Sequence, residues 1–354
     1  MQLSDAIENS KNRKFLITGS SGVIGRAIID ILPSEAQIVA IDRKEPSFSL
    51  PTNVEFSNVD LLHEGAPLID HLRNVEIVFH LAARMPQAKL TQEEFYQANV
   101  SVTKRLFDAS AQMGVKRFVF ASTIEVYGVQ PVDQALSEKD SLVFTGHYSK
   151  NKFESEQNLL QAGKEIGIET VALRMPMIFG PGFYHEKSMI LLFCAVKLGL
   201  PVPLPVSDAP VAFVSSRDTA SAFLQAAFSE GVDGEAFNIT APDNPEMREF
   251  FEQVISLAGS RSRTIVARRS WVERLVAAAQ RRANGPNDKV PILGTPAELV
   301  PYILTGGRYS IEKAKRTLDF EPQDSCSQAW ASAYNWYWSQ PVRDKYRVTV
   351  KERV

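Results

Sequence analysis

The chain has 354 residues, with 39 Lys and Arg against 41 Asp and Glu (net charge −2), 44% hydrophobic residues and 23% charged. That length suits one large domain or two ordinary ones, and the balance is globular rather than disordered, collagen-like or coiled-coil. With no domain-wide basic field to hold a phosphate backbone, nucleic acid is not an expected partner.

Cys194 and Cys326 are too few for a disulfide framework and lack metal-ligand spacing, so no metal is expected. The opening residues, Met1-Gln2-Leu3-Ser4-Asp5, carry no apolar run of a secretory signal. The longest strongly apolar stretch, Met189 to Val196, stops at Lys197. It falls well short of the ~20 residues that a spanning helix needs. The expectation is a soluble, cytoplasmic protein with no membrane span.

In chain order, Lys14 to Thr18 reads as a buried strand, Gly25 to Leu32 as a mostly apolar helix, and Gln37 to Ile41 as a second strand. Glu76 to Leu81 is a later strand and Glu93 to Met113 a long helix. Arg117 to Ala121 is a strand, His147 to Gly163 a helix and Thr170 to Arg174 a strand. Strands apolar on both faces, separated by helices, predict an α/β protein with a doubly wound parallel sheet. After Gly180, prolines 181, 201, 203, 205 and 210 lengthen the loops. Helical patterns follow at Phe250 to Ala258, Trp271 to Arg282 and Ser310 to Leu318, with a polar connection from Ala283 to Pro291. The expected division is a nucleotide domain over residues 1–180, with sheet continuation near 211–240, and a smaller, mixed substrate lobe over 181–354.

The first strand runs into Gly19-Ser20-Ser21-Gly22-Val23-Ile24-Gly25. Gly19 permits the tight turn, Gly22 lets backbone approach a pyrophosphate, and Gly25 lets the helix pack near the strand. The helix N-terminus offers free N–H groups and a positive dipole end. The second strand ends in Asp42, where an acid meets the adenosine ribose hydroxyls. Asp42 would repel a 2′-phosphate and favours NAD. Arg43 and Lys44 could pair with one, so NADP stays open.

Tyr148 and Lys152 are four apart and share a helical face. A phenol is a poor base at neutral pH, and a neighbouring ammonium favours its phenolate. Tyr148 could then exchange a proton with an alcohol or ketone, while Lys152 holds a ribose hydroxyl of the coenzyme. Glu156 can pair with Lys152 on that face. The strand that ends in Ser122-Thr123 carries hydroxyls to the crevice where open α/β sheets bind ligands.

These residues resemble the extended short-chain dehydrogenase/reductase family, of the NAD-dependent epimerase/dehydratase type, which implies a Rossmann fold. Thr18 to Gly25 is similar to its TGxxGxxG. Asp60-Leu61 is similar to its adenine-contacting pair, and His80-Leu81-Ala82-Ala83 to its HxAA strand end. Asn99 matches a structural asparagine. Ser122 to Gly128 resembles the active-site strand and VYG turn, which places Thr123 on the catalytic hydroxyl and Tyr148 and Lys152 on the catalytic pair. Arg174-Met175-Pro176 and Phe179 to Gly182 resemble the segment that lines the nicotinamide and substrate, and Phe213 to Ala220 a later strand-and-helix segment. The implied coenzyme site is Gly19, Ser21, Gly22, Val23, Ile24, Gly25, Asp42, Arg43, Asp60, Leu61, Leu81, Ala82, Ala83, Tyr148, Lys152 and Met175. The implied catalytic set is Tyr148, Lys152, Thr123 and Ser122. The family pairs as homodimers through two long helices, here near 93–113 and 147–163.

Departures narrow the choice. Dehydratases of the family carry Thr-Asp-Glu before VYG, whereas Thr123-Ile124-Glu125 lacks the middle acid, so dehydration is disfavoured and Glu125 is left as a lone candidate base. Val211-Ala212 stands where nucleotide-sugar members carry Arg-Asp, and Asn151 where Ser or Thr is common. Leu293 to Val300 and Gly307 to Ala314 resemble the 3β-hydroxysteroid dehydrogenase-like and reductase branches. The expected function is NAD(P)-dependent interconversion of a secondary alcohol and a ketone on a small molecule. The alternative is a nucleotide-sugar epimerase that uses the same residues.

Overall fold

A computed structural model of the chain describes residues 1–63, 65–85, 90–129, 134–144, 146–183, 187–206, 208–268, 270, 274, 289–290, 295–296 and 304–341. The helix expected from Trp271 to Arg282 lies outside the described residues apart from Arg274. The connection 283–291 and the segment 293–300 lie outside them apart from the short pair β12 (Lys289–Val290) and β13 (Thr295–Pro296).

The first half alternates helices and strands: α1 (Leu3–Asn9), β1 (Lys14–Thr18), α2 (Val23–Ile31), β2 (Gln37–Asp42), β3 (Val54–Asn58), α3 (Leu68–His71), β4 (Ile77–His80), α4 (Gln92–Tyr96), α5 (Val102–Gln112), β5 (Arg117–Thr123), α6 (His147–Ile166) and β6 (Glu169–Met175). Then follow β7 (Met177–Phe179), α7 (Lys187–Lys197), β8 (Val202–Leu204), β9 (Phe213–Ser215), α8 (Ser216–Phe228), β10 (Glu235–Asn238), α9 (Met247–Leu257), β11 (Thr264–Val266), α10 (Glu312–Leu318) and α11 (Cys326–Ser339). Seven strands form a parallel sheet in the order β10-β6-β5-β4-β1-β2-β3. The order steps outward from β1 in one direction and from β4 in the other, so the crevice opens where the winding reverses.

Both faces of the sheet are covered. β4 and β5 are buried along their whole length, which explains why their sequences are apolar without alternation. On one face Phe15, Phe79 and Phe223 pack with α2 and α8. On the other, Phe107, Phe118, Phe120 and Leu159 pack with α5 and α6. Each such side chain contributes roughly 1.5–3 kcal/mol by leaving water. A third cluster, around Phe193, Phe250, Trp330 and Tyr334, holds α7, α9 and α11 together.

The expected continuous helix from Glu93 to Met113 is divided. A capping box between Thr91 and Glu94 starts α4, and a π-helical turn, Gln97–Ser101, separates it from α5. Within that turn the Asn99 carbonyl accepts hydroxyl hydrogen bonds from Thr103 (2.7 Å) and Ser155 (3.0 Å). Such local bonds compete with the regular ladder and widen the turn. α6 ends at Gly167, which takes the left-handed conformation (φ 78°) that a side chain would resist.

Candidate active site

A cleft of about 360 Å³ runs along the C-terminal ends of β1, β2, β4, β5 and β6. Of the residues expected there, Gly19, Gly22, Val23, Ile24, Asp42, Arg43, Asp60, Leu61, Leu81, Ala82, Ala83, Ser122, Thr123, Tyr148, Lys152 and Met175 line it. Ser21 and Gly25 are not among its lining residues, and both do structural work behind it. The Ser21 N–H donates to Asp42 Oδ2 at 3.1 Å and its hydroxyl to the Lys44 carbonyl at 2.7 Å. A Cβ on Gly25 would lie 2.5 Å from Ser20 Cα, so only glycine lets α2 approach the loop. Gly19 has φ 71°, and a Cβ there would sit 2.8 Å from the Ala82 nitrogen. The ends of β1 and β4 therefore meet backbone to backbone.

The N-terminus of α2 faces the cleft through Val23 and Ile24. The first N–H groups of a helix have no partner within it, and they suit an anion. Asp42, held by Ser21 and by the Lys44 N–H (3.0 Å), closes the far side of the loop. Asp60 accepts the Leu62 N–H at 3.0 Å, and Arg84 places its guanidinium 3.6 Å from Asp60 Oδ2. Asn99 clamps the Arg84 backbone on both sides, with its Oδ1 accepting the N–H at 2.7 Å and its Nδ2 donating to the carbonyl at 3.1 Å. The wide π turn thus presents Asn99 to the cleft wall. A glycine-rich loop, an anion-seeking helix end and a carboxylate at the end of β2 fit a dinucleotide.

Behind Gly19 a chain of hydrogen bonds has one direction. Thr103 donates its hydroxyl to Asn99, so it must accept from His80 Nε2, 2.9 Å away. His80 Nδ1 is then an acceptor for Thr18 Oγ1 at 2.7 Å, and Thr18 in turn accepts the Ala82 N–H at 3.3 Å. This arrangement needs a neutral imidazole. Burial, with the charge of Lys152 as a smaller cause, pushes His80 down to about 3.

At the other end of the cleft stand Thr123, Tyr148 and Lys152, all buried. Thr123 Oγ1 accepts the Glu125 N–H at 3.2 Å, which caps a short 3₁₀ turn and leaves the hydroxyl proton unspent by that bond. The Tyr148 hydroxyl lies 3.7 Å from Met85 Sδ. Lys152 Nζ lies 3.9 Å from the centre of the Phe120 ring. Burial drives Lys152 down to about 7, against the opposing charge of Glu156.

Two expectations need revision here. Ser122 lines the cleft, yet its hydroxyl donates to Glu156 Oε2 at 2.6 Å. Glu156 does not form an ion pair with Lys152. It binds Arg174 through Nε (3.2 and 3.1 Å) and Nη2 (2.5 Å). A guanidinium fork matches a carboxylate better than a point ammonium one helical turn away. Arg174 also donates to the Tyr127 hydroxyl (2.8 Å), and Tyr127 donates to Asn238 Oδ1 (2.8 Å). The tyrosine of the VYG turn therefore braces the active-site strand against β10.

Sequence reasoning left several lining residues unassigned: Arg84, Met85, Met177, Ile178 and Phe183, whereas Pro176 lines the cleft as the resemblance implied. Arg84 and Met85 directly follow the His80–Ala83 strand end, and that adjacency was the available signal. Glu125, whose N–H donates to Thr123, also lines the cleft.

Three relatives and one solved structure place the chain. It is 30% identical over 333 residues to a protein of Sinorhizobium fredii known only as uncharacterized, covering 91% of this chain and 78% of that one. It is 27% identical over 250 residues to the trifunctional UDP-glucose 4,6-dehydratase/UDP-4-keto-6-deoxy-D-glucose 3,5-epimerase/UDP-4-keto-L-rhamnose-reductase of Arabidopsis thaliana, covering 65% of this chain and 37% of that one. To a 3beta-hydroxysteroid-dehydrogenase/decarboxylase of Arabidopsis thaliana it is 26% identical over 288 residues, covering 76% of this chain and 63% of the other. The fold matches a UDP-N-acetylglucosamine 4-epimerase from Methanobrevibacter ruminantium in complex with UDP-N-acetylmuramic acid. The TM-score is 0.74 at 21% identity, over 94% of this chain and 100% of that one. The NAD dependent epimerase/dehydratase family matches residues 15–240. With a glycine loop, a Thr123/Tyr148/Lys152 cluster and a family match over most of its length, the chain belongs to the NAD dependent epimerase/dehydratase family, within the extended short-chain dehydrogenases/reductases.

Proposed function

We propose that the protein is an NAD-dependent oxidoreductase that interconverts a secondary alcohol and a ketone on a small, largely apolar molecule. One observation carries the substrate class. Met85 stands 3.7 Å from the Tyr148 hydroxyl and Met177, Ile178 and Phe183 also line the cleft, whereas the lining guanidiniums, Arg43 and Arg84, belong to the Asp42–Asp60 end. A diphosphate beside the reacting group would find no guanidinium among these lining residues and would meet the carboxylate of Glu125.

The residues divide the work. Gly19, Gly22, Val23 and Ile24 hold the coenzyme diphosphate against the end of α2. Asp42 accepts the adenosine ribose hydroxyls, and Asp60, Leu61, Leu81, Ala82, Ala83 and Met175 form the walls. When bound, the nicotinamide supplies or accepts the hydride. Thr123 donates its hydroxyl proton to the substrate oxygen and so fixes its position. Tyr148 takes the proton of an alcohol, or returns one to a ketone. Lys152, when charged, favours the phenolate of Tyr148 and bonds a ribose hydroxyl. Ser122 orients the strand through Glu156 rather than touching substrate. NAD is favoured over NADP because Asp42 would face a 2′-phosphate.

The same proposal gives residues 1–180, with 211–240, to the coenzyme and most of 181–354 to the substrate. The entry of β10 into the main sheet supports that borrowed segment. A cytoplasmic homodimer completes it. The side-by-side packing of α5 and α6 supports the dimer, with a shallow cleft between them lined by Lys104, Asp108, Asn158 and Glu165. Two free thiols suit a reducing compartment.

The second reading, a nucleotide-sugar epimerase, is favoured by the named activities of several relatives. Stoichiometry separates the two. Incubation with NAD and secondary alcohols of steroid-like character should raise the reduced-nicotinamide absorbance in step with the ketone formed. Conversion of a UDP-sugar to its epimer without net absorbance change would replace the first reading by the second.

A further inference from the structure

Five of the six most exposed large apolar side chains among the described residues fall on one region of the molecule. Leu198 (71%) and Leu191 (70%) lead, followed by Leu257, Leu200 and Ile265, each about half exposed. Leu191 and Leu198 are seven apart, two turns, and so share one side of α7 and its end. The loop after α7 is stapled to the one before β11. Ser260 Oγ donates to the Val196 carbonyl at 2.5 Å, and the Val202 N–H donates to the Arg263 carbonyl at 2.9 Å. β8 and β11 then pair in parallel with exposed Pro203 opposite exposed Ile265. These contacts make one continuous surface of residues far apart in the chain.

That surface is also cationic. Residues 187–206 and 253–268 contain no Asp or Glu, although the whole chain carries net −2. Lys197, Arg261, Arg263 and Arg268 are all exposed on them. Protruding leucines framed by cations are the signature of a protein face that enters the headgroup layer of an anionic bilayer. A second copy of this chain would set the four cations against themselves. A nucleic-acid backbone would satisfy the charges and leave five apolar side chains with no partner.

We propose that this face, built from the end of α7, the 257–263 loop and the β8–β11 edge, docks the protein on anionic lipid membranes without spanning them. The proposal rests on the surface alone and not on the substrate reading.

The test is flotation of the full chain with vesicles of phosphatidylcholine, alone or with one third phosphatidylglycerol. The protein should float with the anionic vesicles, remain behind with the neutral ones, and be released by high salt. Arg261→Gln with Arg263→Gln, and separately Leu198→Glu with Leu200→Glu, should each lower the bound fraction at least about tenfold. Because these side chains are exposed, both variants should keep the wild-type melting temperature and coenzyme binding. Wild-type protein that ignores anionic vesicles, or variants that bind them undiminished, would overturn the proposal. So would conversion of an oligomer to a monomer by Leu198→Glu with Leu200→Glu, since the face would then be a contact between copies.

Discussion

The side-chain nitrogen of Lys152, which lines the cleft, lies 3.9 Å from the centre of the buried Phe120 ring. An aromatic face attracts a cation by about 2 kcal/mol in a desolvated site, and here it partly offsets the burial that holds Lys152 near 7. Phe120→Leu keeps the apolar contact and removes the ring. The expected result is a Lys152 pKa lower by about one unit. The ammonium is then lost at a lower pH, so the Lys152-dependent limb of the pH–kcat profile should move to the acid side. An unmoved limb would show that the ring has no hold on this charge.

Tyr148→Phe deletes only a hydroxyl, and that hydroxyl is the proposed proton carrier. Turnover should fall by about 10²–10⁴, the usual worth of a positioned acid or base. NAD affinity, read by fluorescence titration, should stay within about threefold, because the glycine loop and Asp42 are untouched. A proportionate loss of both would mean that Tyr148 supports the site rather than the proton transfer.

Glu156 is fully buried and neutralises an Arg174 that is nearly so. Removing one member of such a pair strands the other charge and typically costs about 3–5 kcal/mol. Glu156→Gln should therefore lower the unfolding free energy by about that amount in chemical denaturation. Adding Arg174→Met should restore part of it, since the stranded charge is gone. Equal, additive losses from the two substitutions would contradict the coupling.

His80 is neutral in the folded chain down to about pH 3, whereas its ordinary value is 6.5. Between those values the unfolded chain binds a proton that the folded chain refuses, so stability falls as the pH is lowered from 6.5 to 3. A full proton of difference gives a slope of about 1.4 kcal/mol per pH unit. In His80→Asn this contribution should vanish, and urea midpoints measured from pH 7 to pH 4 should show a shallower decline than wild type.

What the sequence disclosed was local. The strand, glycine turn and helix from Lys14 to Ile31 could be read because Gly19 and Gly25 answer steric demands made by near neighbours. Tyr148 and Lys152 could be read because one helical turn joins them. The partner of Glu156 could not, since Lys152 at i−4 and Arg174 on the next strand are equally plausible on paper. Only the buried geometry shows that the fork of Arg174 wins. Arg84 escaped notice for a similar reason, because what makes it a wall of the cleft is Asn99, fifteen residues on. The π turn was invisible, as the apolar positions in and around it, Phe95, Ala98, Val102 and Leu106, suit an ordinary helix equally well. The cluster around Phe193 and Trp330 joins positions more than a hundred residues apart, beyond the reach of any periodicity.

The wide turn at Gln97–Ser101 makes this stretch of chain intolerant of a change in residue count. An α-helix advances 100° per residue, so loss of one residue from the regular turns on either side of the wide turn would rotate everything downstream by that angle relative to what precedes it. Phe95 and Leu106 both point into the interior at present. After a deletion they could not do so together, and the Asn99 amide would swing away from the Arg84 backbone. Side chains along this segment can drift, but its spacing cannot, so in any lineage of such chains insertions and deletions should be rarer here than substitutions.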